Sequence, residues 1–218
     1  QRIVIRLLEQ SLINKPFIGI AGNIGVGKTT MTQKISNELG WDPIYESVID
    51  NPYLEDFYTN MSRWSFNLQV YFLHNRLSHQ IKLMENGASF IQDRTIYEDK
   101  KIFAFNLFKT GKMSKRDWDT YNNLFNYMSS FVREPDLIIY LQANTDTLMS
   151  RIKNRKRDFE KDMSSEYLHS LNIYYEKWIN GLDQSKVLII NINHFNIFKD
   201  IDKFNEIILK IKKKINDQ

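Results

Sequence analysis

The stretch Gly22-Asn23-Ile24-Gly25-Val26-Gly27-Lys28-Thr29-Thr30 has the residue types of an anion cradle. It fills the pattern G-x-x-x-x-G-K-[ST] between an apolar run and an amphipathic one, the strand–loop–helix setting the motif requires. Glycines let the backbone approach a phosphate closely. The helix start then aims several N–H groups at the anion, and the helix dipole adds positive potential there. Lys28 supplies a point charge for β- and γ-phosphates, and the Thr29 hydroxyl is a ligand type suited to Mg²⁺. The loop therefore predicts binding of a nucleoside triphosphate.

Further chemical residues fall at the ends of predicted strands or on one stripe of a helix. Glu46 closes a short β-rich run, where its carboxylate can take the proton of a primary alcohol as a phosphoryl group is transferred. Asp93 and Arg94 follow the run Ser89–Gln92. An acid there can reach a cation held by Thr29, and Arg94 can steady Glu46 and the transferring group. Gln69 and Arg76 lie seven residues apart on one predicted helix, about 20° out of register. A glutamine among Trp64, Phe66, Tyr71 and Phe72 needs a paired amide, and a base edge with one donor and one acceptor is a fitting partner. A solvent-facing polar stripe is the alternative. Asp99 and Phe103 share the next helix one turn apart, Asp99 to pair with Arg76 and Phe103 to stack on a base. Arg151 and Arg155 share a face of a later helix with Arg157 just beyond it, so three guanidiniums could close over phosphates.

The elements that must position these groups are readable from periodicity. Strands are predicted at Phe17–Ala21, Pro43–Glu46, Ser89–Gln92, Leu137–Leu141 and Val187–Ile192, each short, apolar and rich in β-branched or aromatic residues. Helices are predicted over 28–39, 64–85, 96–108, 114–131, 145–155, 164–179 and 200–215. This alternation implies an α/β fold with a parallel five-stranded sheet flanked by helices, which places ligands beyond the carboxyl ends of the strands. The chemical residues cluster at those ends.

At 218 residues, without repeats or a low-complexity linker, the chain reads as a single domain over 1–218. No apolar run approaches a bilayer-spanning length, so no membrane partner is expected. The absence of cysteine excludes disulfides and thiolate metal sites and fits a reducing, cytoplasmic setting. A segment removed ahead of Gln1 is compatible with the same sequence. The formal charge of +4 would suit an anionic partner, but much of it sits on the last helix at Lys210, Lys212, Lys213 and Lys214, so nucleic acid is not the expected ligand. No N-K-x-D guanine motif follows the loop, and the chain is short for a motor or helicase. A small-molecule kinase leads. A nucleoside-monophosphate kinase of thymidylate type and an ATP-sensing nucleic-acid-binding module are the alternatives.

The ordered set of Glu46, Arg63-Trp64-Ser65-Phe66, Gln69, Arg76, Asp93-Arg94-Thr95, Asp99, Phe103, Arg151, Arg155, Arg157, Glu160 and Glu166-Tyr167-Leu168 resembles the deoxynucleoside kinases of deoxycytidine, deoxyguanosine and deoxyadenosine type. Asn51-Pro52-Tyr53-Leu54 is closest in texture to the bacterial deoxyadenosine/deoxyguanosine kinases. Asp93 stands where many relatives carry glutamate, and Ser47 where many carry proline. The resemblance implies a P-loop kinase fold with an Arg-rich lid. It also implies ATP as donor with Mg²⁺, transfer to a deoxynucleoside 5′-hydroxyl in nucleotide salvage, and a homodimer. By the same resemblance Glu46 is the base, Tyr58 and Glu160 hold the sugar 3′-hydroxyl, and Arg76 with Asp99 flanks the base. Deoxyadenosine is the expected first substrate, then deoxyguanosine or deoxycytidine, with the adenine of ATP near 193–196. The aromatic stripes of 64–85 and 114–131 are open to both readings, core packing or pairing with a second copy.

Overall fold

A computed structural model describes residues 15–45, 51–85, 87–160 and 163–217. Five strands, β1 (Phe17–Ala21), β2 (Asp42–Ile44), β3 (Phe90–Asp93), β4 (Leu137–Gln142) and β5 (Val187–Asn191), form one sheet in the order β2-β3-β1-β4-β5. Every neighbouring pair is parallel. The helices are α1 (Lys28–Leu39), α2 (Leu54–Thr59), α3 (Met61–Glu85), α4, α5 (Lys115–Met128), α6 (Thr145–Arg155), α7 (Ser165–Asn180) and α8 (Ile201–Asn216). Helix α4 runs through Ile96–Glu98, Asp99–Ala104 and Phe105–Lys109, the middle segment being a π-helix.

The strands read as unbroken apolar runs because both faces of the sheet are covered. Alternation along β4 shows the division. Leu137, Ile139 and Leu141 pack with Ile35 of α1, Leu148 of α6 and Ile208 of α8. Ile138 and Tyr140 point the other way, to Ile102 of α4 and to Leu171 and Tyr175 of α7. A third cluster joins α2, α3, α4 and α5 through Phe57, Leu73, Leu107 and Tyr121. Part of the aromatic content of α3 and α5 is thus used within the chain.

The parallel sheet, its strands and the long helices match the sequence expectation, with three differences. Helix α2 is less than two turns long and leaves no periodic signal in the sequence. Helix α4 carries a π segment where a regular helix was expected, and both Asp99 and Phe103 lie on it. The second strand stops at Ile44, and Glu46 lies outside the described residues.

Candidate active site

Register brings the chemistry to the carboxyl end of the central strands. Ile20 of β1 pairs with Asp93 of β3, and the Arg94 N–H continues the ladder to the Ile20 carbonyl at 3.1 Å. The chain leaving β1 therefore enters its glycine loop beside Asp93. Gly22 and Gly25 adopt φ of 147° and 82°, and a Cβ on Gly22 would lie 2.8 Å from the Leu141 carbonyl oxygen. On Gly25 it would lie 2.8 Å from Ile152 Cγ1. Neither position admits a side chain without displacing its neighbours.

Lys28 opens α1 and is buried, its Nζ donating to the carbonyls of Gly22 at 2.9 Å and Asn23 at 3.1 Å. The Thr29 hydroxyl donates to Asp93 Oδ2 at 2.5 Å. Hydroxyl and carboxylate oxygens in contact at the foot of a phosphate loop are a donor set that fits Mg²⁺, a cation that prefers hard oxygen ligands. Arg94 is buried at a φ of 67°, a conformation that costs a side-chain-bearing residue about 1–3 kcal/mol. Its guanidinium carbon lies 4.2 Å from the centroid of the Phe103 ring.

The loop opens onto a cavity of about 560 Å³. Ile24, Gly25, Gly27, Lys28, Thr29 and Thr30 line it together with Asp93 and Arg94. The rest of its wall includes Tyr58 of α2, Gln69 and Phe72 of α3, and Asp99 and Phe103 of α4. Arg76 stays behind this wall, where its Nη1 donates to both carboxylate oxygens of Asp99 and its guanidinium faces the Phe72 ring at 4.7 Å. Burial pushes the Tyr58 hydroxyl well above the usual phenol range, so it remains a donor. Arg155, Arg157 and Glu160 line the same cavity. Arg155 Nε donates to Glu160 Oε2 at 2.6 Å, and Arg157 lies 3.7 Å from Glu160 Oε1.

The family model for deoxynucleoside kinases matches residues 18–216. The chain belongs to the deoxynucleoside kinase family. Among its relatives, the deoxyadenosine/deoxycytidine kinase of Bacillus subtilis (strain 168) is 38% identical over 211 residues, spanning 96% of this chain and 97% of that protein. The deoxyadenosine kinase of Dictyostelium discoideum is 39% identical over 186 residues, 85% of this chain and 75% of that protein. The structure of deoxyadenosine kinase from M. mycoides with bound dATP superimposes with a TM-score of 0.76 at 30% identity, covering 88% of this chain and 98% of that one.

Not every expected residue of this kinase faces the cavity. Asn23 turns inward, its Nδ2 donating to the Leu168 carbonyl at 2.9 Å and to Asn172 Oδ1 at 2.7 Å, which ties the loop to α7. Val26 is buried in the core. Arg151 stands apart from Arg155 and Arg157. It donates to the carbonyls of Val26 at 2.8 Å and Ile192 at 3.2 Å, bracing the loop from the side. There it borders a second cavity of about 300 Å³, with Thr30, Phe195 and Asn196.

Sequence reasoning passed over two buried groups. Glu98 is fully buried. It accepts the Thr95 N–H at 2.9 Å, the Gly22 N–H at 3.3 Å and the Tyr175 hydroxyl at 2.7 Å. Burial raises its carboxyl above the usual range, opposed by Arg94 and Lys28. The spacing Thr95-x-x-Glu98 is a capping-box signature that could have drawn attention to it. Tyr175 had no comparable signal.

Proposed function

We propose that this kinase transfers the γ-phosphoryl group of ATP to the 5′-hydroxyl of a deoxynucleoside, with deoxyadenosine preferred over deoxyguanosine or deoxycytidine. The observation that carries this reading is the shared cavity. The glycine-loop residues Gly25, Gly27, Lys28, Thr29 and Thr30 and the aromatic, amide-bearing group Tyr58, Gln69, Phe72 and Phe103 line one space, together with Asp93 and Arg94.

The chemistry of transfer is chiefly positioning and charge stabilisation. Loop N–H groups and Lys28 would hold the β- and γ-phosphates. Thr29 and Asp93 would hold Mg²⁺, which neutralises charge on the phosphate oxygens. Arg94, Arg155 and Arg157 would offset the negative charge of the phosphoryl group in transit. Tyr58 and Glu160 would hold the sugar, Phe103 would stack on the base, and the Gln69 amide would read its edge, with Asp99 fixed by Arg76. Glu46 is assigned as the base on family resemblance. Arg151 would steady the loop beside the ATP adenine rather than act from the lid.

The preference for deoxyadenosine draws support from the first relatives, which are named for deoxyadenosine or deoxyadenosine/deoxycytidine, and from the M. mycoides enzyme. A single domain over 1–218, a homodimer, a cytoplasmic setting and a role in nucleotide salvage belong to the same reading. ATP consumption measured against the four deoxynucleosides, the matching ribonucleosides and their monophosphates tests it. The expected result is 5′-monophosphate formation fastest with deoxyadenosine and slow with ribonucleosides. Absence of turnover with every deoxynucleoside would reject it, and a preference for monophosphates would point to a nucleoside-monophosphate kinase.

A further inference from the structure

The first peptide of the phosphate loop is held from three sides. The Gly22 carbonyl accepts Lys28 Nζ at 2.9 Å and the Tyr175 hydroxyl at 2.8 Å, while the Gly22 N–H donates to Glu98 Oε1 at 3.3 Å. Tyr175 lies 2.7 Å from that same Glu98 oxygen. A phenol has one hydrogen, so it can serve only one of these two acceptors at a time. Both Tyr175 and Glu98 are fully buried.

Were Lys28 to turn to bound phosphates, the Gly22 carbonyl would lose that donor. That carbonyl would then be left in a buried setting, where the loss of a donor is expensive. We infer that Tyr175 is a positioning residue for ATP: its hydroxyl hydrogen rests on Glu98 in the empty protein and turns to the Gly22 carbonyl as Lys28 leaves for the phosphates. Glu98 keeps the N–H groups of Thr95 and Gly22 when the tyrosine turns, so no partner is stranded. The loop backbone then holds its shape while the lysine changes partners. Phe103 and Tyr140 flank the Tyr175 ring at centroid distances of 6.3 and 5.7 Å. The ring is thereby fixed and the rotation is confined to the hydroxyl.

The inference rests on the loop binding ATP as proposed above. Calorimetric titration with ATP and, separately, with deoxyadenosine tests it without requiring turnover. Tyr175→Phe is expected to weaken ATP binding about tenfold and to leave deoxyadenosine binding unchanged. Equal losses for ATP and deoxyadenosine in Tyr175→Phe, or unaltered ATP affinity, would overturn the inference. Should Tyr175→Phe fail to fold, 3-fluorotyrosine placed at position 175 reports the same event. Its ¹⁹F resonance should move on adding ATP and not on adding deoxyadenosine alone, and a resonance indifferent to ATP would refute the hydroxyl switch. Failure of the wild-type protein to bind ATP would instead strike at the reading of the site.

Discussion

Replacing Asp99 by asparagine separates the structural part of the nucleoside pocket from its chemical part. Asp99 is 1% exposed and Arg76 5% exposed, and one guanidinium nitrogen donates to both carboxylate oxygens. Little solvent screens this pair, so its attraction is much stronger than that of an exposed salt bridge. Removing the negative member leaves a buried guanidinium facing an amide, and breaking such pairs costs about 3–5 kcal/mol. Asparagine can still accept a hydrogen bond, so the lower end, about 3 kcal/mol, is the expected loss. For a chain of this size that corresponds to a melting temperature lower by roughly 6–12 °C. Differential scanning calorimetry measures it. The double variant Arg76→Met/Asp99→Leu removes both charges and should recover most of that loss, because apolar replacements of a buried pair are often neutral. Its KM for deoxyadenosine should nonetheless stay raised, since Asp99 lines the cavity. An Asp99→Asn protein that melts with wild type would refute the energetic reasoning. A double variant restored in both stability and deoxyadenosine use would show that the pair is scaffold alone.

Three further outcomes are expected. Thr29→Val removes the hydroxyl that meets Asp93, and the Mg²⁺ concentration for half-maximal turnover should rise about tenfold or more; an unchanged Mg²⁺ dependence would contradict that pairing. Glu46→Gln should lower turnover by roughly 10²–10⁴ while ATP affinity changes little, because a base is lost and not a phosphate contact; equal losses in both would count against the assignment. Burial raises the Glu98 carboxyl from its ordinary value of 4.5. Its stabilising contribution is full below that value and is lost as pH rises through the raised one. The melting-temperature difference between wild type and Glu98→Gln should therefore move against wild type as pH rises from 4.5, and a pH-independent difference would contradict the shift.

Much of the fold was legible because its signals are local. Apolar runs marked the buried strands, and the glycine–lysine motif marked the loop between β1 and α1. The pairing of Arg76 with Asp99, expected from their charges and the family resemblance, is present as a buried pair. What stayed hidden depends on distant contacts or on short structure. Tyr175 and Glu98 are 77 residues apart in sequence, and nothing near either one points to the other. Helix α2 carries Tyr58 to the cavity in six residues, too few to show a period. Arg151 and Arg155 share a face of α6, as their spacing required. The rise of about 1.5 Å per residue still sets the first beside Val26 and the second beside Glu160. Shared face was readable; shared task was not.

In the proposed reaction one cavity must serve both substrates. The most direct test of this is titration with a single molecule that joins deoxyadenosine through a short polyphosphate to adenosine. One molecule should bind per chain, more tightly than either ATP or deoxyadenosine, and should exclude both at once. Binding that displaces ATP while deoxyadenosine still binds undiminished, or the reverse, would place the two substrates in separate sites and contradict the account.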